Sequence, residues 1–239
     1  MAPYDFHKAI YQKKRDLDQL IQDLTKAIEL YPKFAEAYYR RGNAYYQKGD
    51  FGQAIGDLKK GLEFKPKGEL AEGAKKSIKE LEDIILKKTQ AYYKSASAHA
   101  RKGNFDKAVK DLNKVVELNP ESPLAYYNCG VAYDEIGNLD QAIENYSIAI
   151  ELNCKFADAY CNRGLAYRKK KDFHNALKDY TRVIALNPKG ADPYYMRGLC
   201  YKSIGGNEKA IKDFRMYLEL APKGKMADYV EQSTKELER

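Results

Sequence analysis

Residues 123–156 read PLAYYNCGVAYDEIGNLDQAIENYSIAIELNCKF, and near copies of this stretch recur at a spacing of 34 residues. Within it, Tyr126, Gly130 and Tyr133 occupy the fourth, eighth and eleventh places, and Ala142 and Tyr146 occupy the twentieth and twenty-fourth. Units that recur at such a period bury their apolar faces against their neighbours rather than in one central core. The sequence therefore predicts an array of repeats.

Further copies of the pattern lie on both sides of this stretch. Strong copies occupy the windows 35–68, 89–122, 157–190 and 191–224. A weaker copy covers 1–34, where Lys8 and Leu20 stand in places that are small elsewhere. The first window is therefore a degenerate repeat.

Each window predicts a pair of short helices. The spacing of Tyr126, Gly130 and Tyr133 places them on one face of a helix. Gly137 followed by Asn138 predicts a left-handed end to the first helix and an N-cap for the second, and the pairs Gly49–Asp50 and Gly103–Asn104 repeat this signal. A proline, which cannot donate to the helix ladder, follows the second helix in four windows. These prolines are Pro66, Pro120, Pro188 and Pro222.

The fixed order of aromatic, small, aromatic, alanine, aromatic, alanine and proline resembles the tetratricopeptide repeat (TPR). Six windows carry the resemblance, with tyrosine where the family often has tryptophan and Cys154 in place of one proline. The resemblance implies an all-α fold, a right-handed superhelix of helix-turn-helix repeats.

Residues 69–88 interrupt the repeat phase, and they carry apolar residues at helical spacing, so they predict an amphipathic helix. The stretch that begins at Pro66 aligns without a gap with the one that begins at Pro222. Because the end of an array needs a helix with a polar outer face, 225–239 is predicted to be a C-terminal capping helix. By analogy, 69–88 caps or connects the first two repeats.

The predicted domains are 1–88, with repeats 1–34 and 35–68 and the helix 69–88; 89–224, with four repeats; and the cap 225–239. In an alternative interpretation the insert runs straight into the next repeat as one helix. No proline or glycine lies between Ala74 and Arg101 to stop it.

The residue pattern argues against an enzyme. The three histidines, His7, His99 and His174, lie in different repeats without a recurring nucleophile or carboxylate partner, and phosphate-binding glycine motifs are missing. The cysteines show no metal-ligand spacing. We therefore expect a non-enzymatic chain with no cofactor and no metal.

The family resemblance implies that the first helix of each repeat lines a concave groove where ligands bind. Rigid aromatic faces with amide and cationic donors suit an extended or helical peptide. The candidate groove residues are Tyr39, Arg40, Asn43, Tyr93, Lys94, Tyr127, Asn128, Asn162, Arg168 and Tyr195. In the alternative interpretation, the tyrosines only shield the seams between helices.

The expected partner is a protein or peptide with acidic or polar residues. TPR domains that bind acidic chaperone tails use a set of lysines, asparagines and an arginine. In the windows that begin at residues 89, 123 and 157, only Asn128 matches this set. A chaperone C-terminal tail is therefore not the expected ligand.

The net charge of +8 is evenly spread, with 18 basic against 14 acidic residues in 1–88 and 24 against 20 in the remainder. This distribution disfavours nucleic acid, which usually meets a basic stripe or tail. The longest basic run is Arg168 to Lys171. An RNA-binding protein is thus a distant alternative.

The chain has no apolar run long enough to cross a membrane and no secretory leader, so we expect a cytoplasmic protein. Self-association is the main alternative function. It is motivated by Tyr4, Phe6 and Ile10 in the degenerate first window, which would lie at an uncapped end.

Overall fold

The computed structural model describes the backbone of residues 3–239 and the side chains of residues 16–239, and this part of the chain is all α-helical. The helices are α1 (Pro3–Leu30), α2 (Ala35–Lys48), α3 (Phe51–Phe64), α4 (Glu69–Arg101), α5 (Phe105–Leu118), α6 (Pro123–Glu135), α7 (Leu139–Leu152), α8 (Ala157–Lys169), α9 (Phe173–Leu186), α10 (Ala191–Ser203), α11 (Asn207–Leu220) and α12 (Ala227–Leu237). The predicted all-α fold is confirmed. Among the helices described, none has the length and apolarity needed to cross a bilayer.

The chain forms two compact units, Met1–Ala91 and Tyr92–Arg239, called unit 1 and unit 2. In unit 2 the helices pack in chain order from α5 to α12, each against the next. First helices alternate with second helices there, so unit 2 is built from stacked helix pairs.

The turn residues behave as the sequence predicts. Gly49, Gly103 and Gly137 all have positive φ, between 72° and 90°, and the Asn138 side chain accepts a hydrogen bond from the Gln141 amide. Lys171 has the same turn position in its repeat and adopts a φ of 60° despite its side chain. Each punctuating proline follows its helix by two residues.

The window 1–34 does not form a helix pair, and this part of the prediction is wrong. The backbone from Pro3 to Leu30 is one helix. Arg15 stands at the place where other windows have the turn glycine, and neither glycine nor proline occurs between Tyr4 and Tyr31. A left-handed residue other than glycine costs about 1–2 kcal/mol, so this sequence continues the helix.

The helix α4 is continuous from Glu69 to Arg101, as the alternative interpretation predicted. Its N-terminal part belongs to the core of unit 1, because Ala71, Ala74 and Leu81 pack with Tyr39 and Leu58. The segment after Ala91 contributes the first helix of the next repeat in unit 2.

The last helix, α12, packs on the last repeat. Val230 is fully buried in a cluster with Phe214 and Tyr217, and Leu237 packs against it. The Met226 amide donates to the Tyr217 hydroxyl at 3.2 Å. These contacts are those expected of a C-terminal cap.

Three repeats share a buried ion pair between their two helices. Arg163 donates two hydrogen bonds to Asp179, at 2.9 and 2.7 Å, and a third to the Ser147 hydroxyl of the preceding repeat at 2.9 Å. The same arrangement recurs as Arg41–Asp57 with Thr25 and as Arg197–Asp213 with Thr181. Each arginine therefore joins two successive repeats.

Two repeats of unit 2 lack this pair. In 123–156 the equivalent residues are Cys129 and Asn145, both uncharged. In 89–122 the arginine is replaced by Ser95 but the acid remains as Asp111, whose buried Oδ2 has no hydrogen-bond partner among the described residues. His99 Nε2 lies 3.9 Å from that oxygen. Both charged residues of the pair are thus replaced in repeat 123–156, and only the arginine is replaced in repeat 89–122.

Candidate functional site

The first helices of unit 2 are residues 92–101 of α4, then α6, α8 and α10. We call their faces directed away from the second helices the first-helix surface. The helices α6 and α8 contact each other directly, so residues at equivalent places in successive repeats are neighbours.

Tyr93 and Asn128 come together across the junction of α4 and α6. The half-buried Tyr93 places its hydroxyl beside the side chains of Asn128 and Ser122. Burial raises the pKa of Tyr93 above the usual phenol range, so the ring stays neutral and its hydroxyl can donate.

Tyr127 and Asn162 repeat this arrangement one repeat later. The Asn162 amide donates to the Tyr127 hydroxyl at 3.1 Å. The Tyr127 ring packs against Phe156, with centroids 4.9 Å apart, and against Tyr146 at 5.9 Å. Burial, with a smaller contribution from Asp158, raises the pKa of Tyr127. The structure thus brings four predicted residues into two successive Tyr–Asn pairs.

Arg168 lies further along the surface, where its guanidinium is next to the Tyr180 hydroxyl. Its buried Nε has no hydrogen-bond partner within the described part of the chain. The neighbouring Lys169 forms an ion pair with Asp134 of the preceding repeat, at 2.7 Å. Arg168 is therefore held in the wall of the surface rather than extended into solvent.

Tyr39 and Tyr195 do not lie on an open surface. Tyr39 is 1% exposed, and its hydroxyl donates to the Lys65 carbonyl. Tyr195 is 9% exposed because the Tyr229 ring of α12 packs edge-on against it at 6.2 Å. For these two residues the seam-shielding alternative describes the contacts, and their assignment to the groove is wrong.

The remaining candidates are exposed but separate. Arg40 forms a 2.6 Å ion pair with Glu36 on its own helix, and Asn43 is exposed on the same helix. Both belong to unit 1. Lys94 is exposed beside Tyr93 in unit 2. Only Tyr93, Lys94, Tyr127, Asn128, Asn162 and Arg168 therefore remain as candidates on the first-helix surface.

A cavity of about 180 Å³ opens beside Tyr93 and Asn128. It is bounded by the helices α4, α5 and α6 and is lined mainly by apolar side chains, including Leu112. We call it the Leu112 cavity. This cavity was not predicted from the sequence, although Leu112 stands where the three following repeats have an aromatic residue.

An exposed apolar turn lies in unit 1 between α1 and α2. Leu30 is 74% exposed, Tyr31 67% and Phe34 45%. This turn was not predicted. The side chains that motivated the self-association hypothesis, Tyr4, Phe6 and Ile10, lie outside the described residues.

The buried thiols are structural. Cys129 and Cys200 are both 0% exposed, and burial raises the pKa of Cys129 to about 12 and that of Cys200 to about 11. A thiol is nucleophilic only as the thiolate. Neither thiol is therefore reactive at neutral pH.

Family models match along most of the chain. The tetratricopeptide repeat model matches 35–67 and 157–189, a second model with this description matches 191–223, and a TPR repeat model matches 10–49, 96–137 and 135–171. The chain belongs to the tetratricopeptide repeat family. No curated protein sequence matches it significantly.

Solved structures of TPR proteins resemble this chain. One is the MamA protein, 29% identical, with a TM-score of 0.54 over 82% of this chain and 94% of MamA. YrrB, described as a TPR protein with an unusual peptide-binding site, is 20% identical, with a TM-score of 0.55 over 87% of this chain and 97% of YrrB. A chain of the Cut9–Hcn1 hetero-tetramer is 20% identical, with a TM-score of 0.56 over 95% of this chain and 46% of that chain. The TPR superhelical fold class is thereby confirmed.

Proposed function

We propose that this TPR chain is a non-enzymatic scaffold that binds a peptide segment of a partner protein on the first-helix surface of unit 2. The observation that carries the proposal is the recurrence of the Tyr–Asn pair. Tyr93 with Asn128 and Tyr127 with Asn162 are separated by one repeat and lie on neighbouring helices. Half-buried tyrosines offer rigid apolar area together with a polar tip.

The amides supply what an extended peptide backbone needs. An asparagine side chain offers an acceptor and two donors, and Asn162 uses one donor on Tyr127. The remaining amide groups of Asn128 and Asn162 can meet a peptide carbonyl or amide. Two such groups one repeat apart would fix the register of the peptide without defining its side chains.

The charge of this surface near Tyr93 favours an acidic partner. Residues 92–105 of unit 2 contain three lysines and arginines and no acid. Asp134, at the end of α6, is already paired with Lys169. A peptide with acidic residues would therefore meet Lys94 and Arg101 near Tyr93. Its acidic residues would lie away from Asp158, which is exposed beside Tyr127.

Phage display tests this proposal. Random peptides would be selected on the immobilised full chain, and the affinity of the selected peptides measured by fluorescence polarisation. Asn128→Ala should weaken binding about tenfold, since the loss of a buried polar contact costs roughly 1–3 kcal/mol. Asn207→Ala, the same change at an exposed site on the second helix α11, is the matched control. Selection of no peptide, or equal effects of both variants, would contradict the proposal.

Self-assembly is the second candidate, and the exposed turn of Leu30, Tyr31 and Phe34 favours it. Contiguous exposed apolar side chains often mark contact sites. Light scattering of the full chain over a range of concentrations would detect it. Tyr31→Ser with Phe34→Ser should abolish the association if this turn carries it; a mass that stays monomeric at every concentration would exclude this candidate.

A further inference from the structure

The Leu112 cavity differs from the surface around it because its walls are buried. Ala96, Ala108 and Ala132 are at most 5% exposed, and Leu112 is 6% exposed. Its opening lies beside Ser97, which is exposed, and Asn128, which is half-buried. Its volume of about 180 Å³ compares with about 150 Å³ for a protein cavity that accepts benzene. The cavity has the size of one aromatic ring.

The next repeat shows what fills the equivalent space. There, Tyr146 takes the place of Leu112 and Gly130 the place of Ala96. A Cβ atom on Gly130 would lie 2.5 Å from Tyr146 Cε1, so the ring occupies the space that only glycine leaves free. The pairs Gly164 with Tyr180 and Gly198 with Phe214 repeat this contact. The cavity therefore lies where the following repeats place an aromatic ring, and it is smaller than that space because Ala96 carries a Cβ.

The surroundings of Tyr146 indicate how a ring would be held. Its hydroxyl lies near Tyr127, Asn162 and Asp134. The equivalent residues around the cavity are Tyr93, Asn128 and Ala100. A phenol that entered the cavity would find the same amide and the same tyrosine, but without the carboxylate.

Two cations adjoin, in the sequence, residues that line the cavity. Lys94 directly follows Tyr93, and Arg101 directly follows Ala100. Both are exposed, and neither forms an ion pair with a described residue. Ala100 stands in the place of the acidic Asp134, so the cation of Arg101 is not offset at this position. Acidic residues next to an inserted ring would be attracted here.

We infer that the Leu112 cavity receives a tyrosine side chain from an acidic peptide segment of the partner. This inference rests on the proposed function and specifies its ligand. The inserted ring packs against Leu112 beside the Cβ of Ala96, offset from the position that Tyr146 takes one repeat later. Its hydroxyl meets Asn128, and acidic neighbours meet Lys94 and Arg101. The next repeat thus shows a related contact, a tyrosine ring whose hydroxyl lies beside an asparagine.

The first experiment uses p-cresol, which has the side-chain atoms of tyrosine, with the full chain. Methyl NMR should show saturable shifts at Ala96, Ala108 and Val131, with a Kd on the order of 1 mM as expected for so small a ligand. No saturable shift at these methyls would overturn the inference.

A reciprocal exchange between the two repeats provides the control. Ala96→Gly with Leu112→Tyr installs the pair used in the next repeat, so it should fold and lose p-cresol binding. Gly130→Ala with Tyr146→Leu should open a second site for p-cresol. Retention of binding by the first double variant would overturn the inference, whatever the fate of the second.

Peptides selected on the full chain provide the second experiment. They should share a tyrosine with acidic neighbours, and Ala96→Gly with Leu112→Tyr should weaken them about tenfold or more, as for the loss of a buried aromatic anchor. Peptides that need Asn128 but carry no aromatic residue would overturn the inference and leave the proposed function intact. If p-cresol binds but no peptide is selected, the proposed function fails and the peptide ligand with it. A dimer that the double variant abolishes would replace the peptide by a second copy of the chain.

Discussion

The buried pair of Arg163 and Asp179 can be exchanged for the uncharged solution of the neighbouring repeat. Arg163→Cys with Asp179→Asn reproduces Cys129 and Asn145. The two side chains of the native pair are only 18% and 5% exposed. Removing one member of such a pair leaves the other charge buried and costs about 3–5 kcal/mol. Removing both leaves no buried charge, so we expect the double variant to lose only about 2 kcal/mol of hydrogen bonding and packing.

The free energy of coupling between the two changes measures the cost of leaving one of the two charges buried without its partner. If each single change costs about 4 kcal/mol and the double change about 2 kcal/mol, the coupling is about 6 kcal/mol, at the upper end for charge pairs measured by such cycles. Hydrogen exchange of the amides in α8 and α9 gives the local free energies of opening, which suits an array that does not unfold as a single unit.

The control is Arg40→Cys, which removes an arginine of an exposed pair whose side chains are 66% and 42% exposed. It should cost less than about 1 kcal/mol. The effects of Arg163→Cys and Asp179→Asn could instead be additive, or each could be as small as that of the control. Either result would refute the view that a single change is costly because it leaves one charge buried without its partner.

Three further predictions follow from particular residues. Lys171→Gly should stabilise its repeat by about 0.5–1 kcal/mol, because glycine relieves the left-handed strain but adds backbone entropy to the unfolded chain; a lower melting temperature would contradict this. Asp111→Asn should be neutral or stabilising by up to about 1 kcal/mol, since its carboxylate lacks the arginine of the other repeats and would lose its charge; a loss comparable to that of Asp179→Asn would show that His99 stabilises this charge. Deletion of 225–239 should lower hydrogen-exchange protection in α10 and α11 and leave α2 and α3 unchanged; a uniform loss would mean that the whole chain unfolds as one unit.

Much of the fold was predictable because residues within each repeat determine where its helices end. Gly49, Gly103 and Gly137 end helices through their own backbone freedom, and the prolines end the next ones. The predicted helix pair in window 1–34 is wrong because Arg15 stands where the other windows have a residue that ends the first helix. A repeat phase therefore predicts which residues are equivalent, but the break between helices depends on one local residue.

The site was less predictable because exposure depends on what covers a residue. Tyr127 and Tyr195 are equivalent in the repeat, but the latter is covered by α12 through Tyr229. Two other features were present in the sequence and were overlooked. The arginine–aspartate pairs recur at a separation of 16 residues, and Leu112 interrupts a column of aromatic residues. Both the arginine–aspartate pairs and the change at Leu112 can be seen when the residues that differ between repeat windows are compared.

Site-specific photocrosslinking tests whether a peptide binds the first-helix surface of unit 2. A photoreactive phenylalanine would replace Ser97, which is exposed beside the Leu112 cavity, or Glu208, which is exposed on α11. With a selected peptide, the account predicts a crosslink from position 97 and none from position 208. Crosslinking from position 208 alone would contradict the account and place the binding site on the second helices.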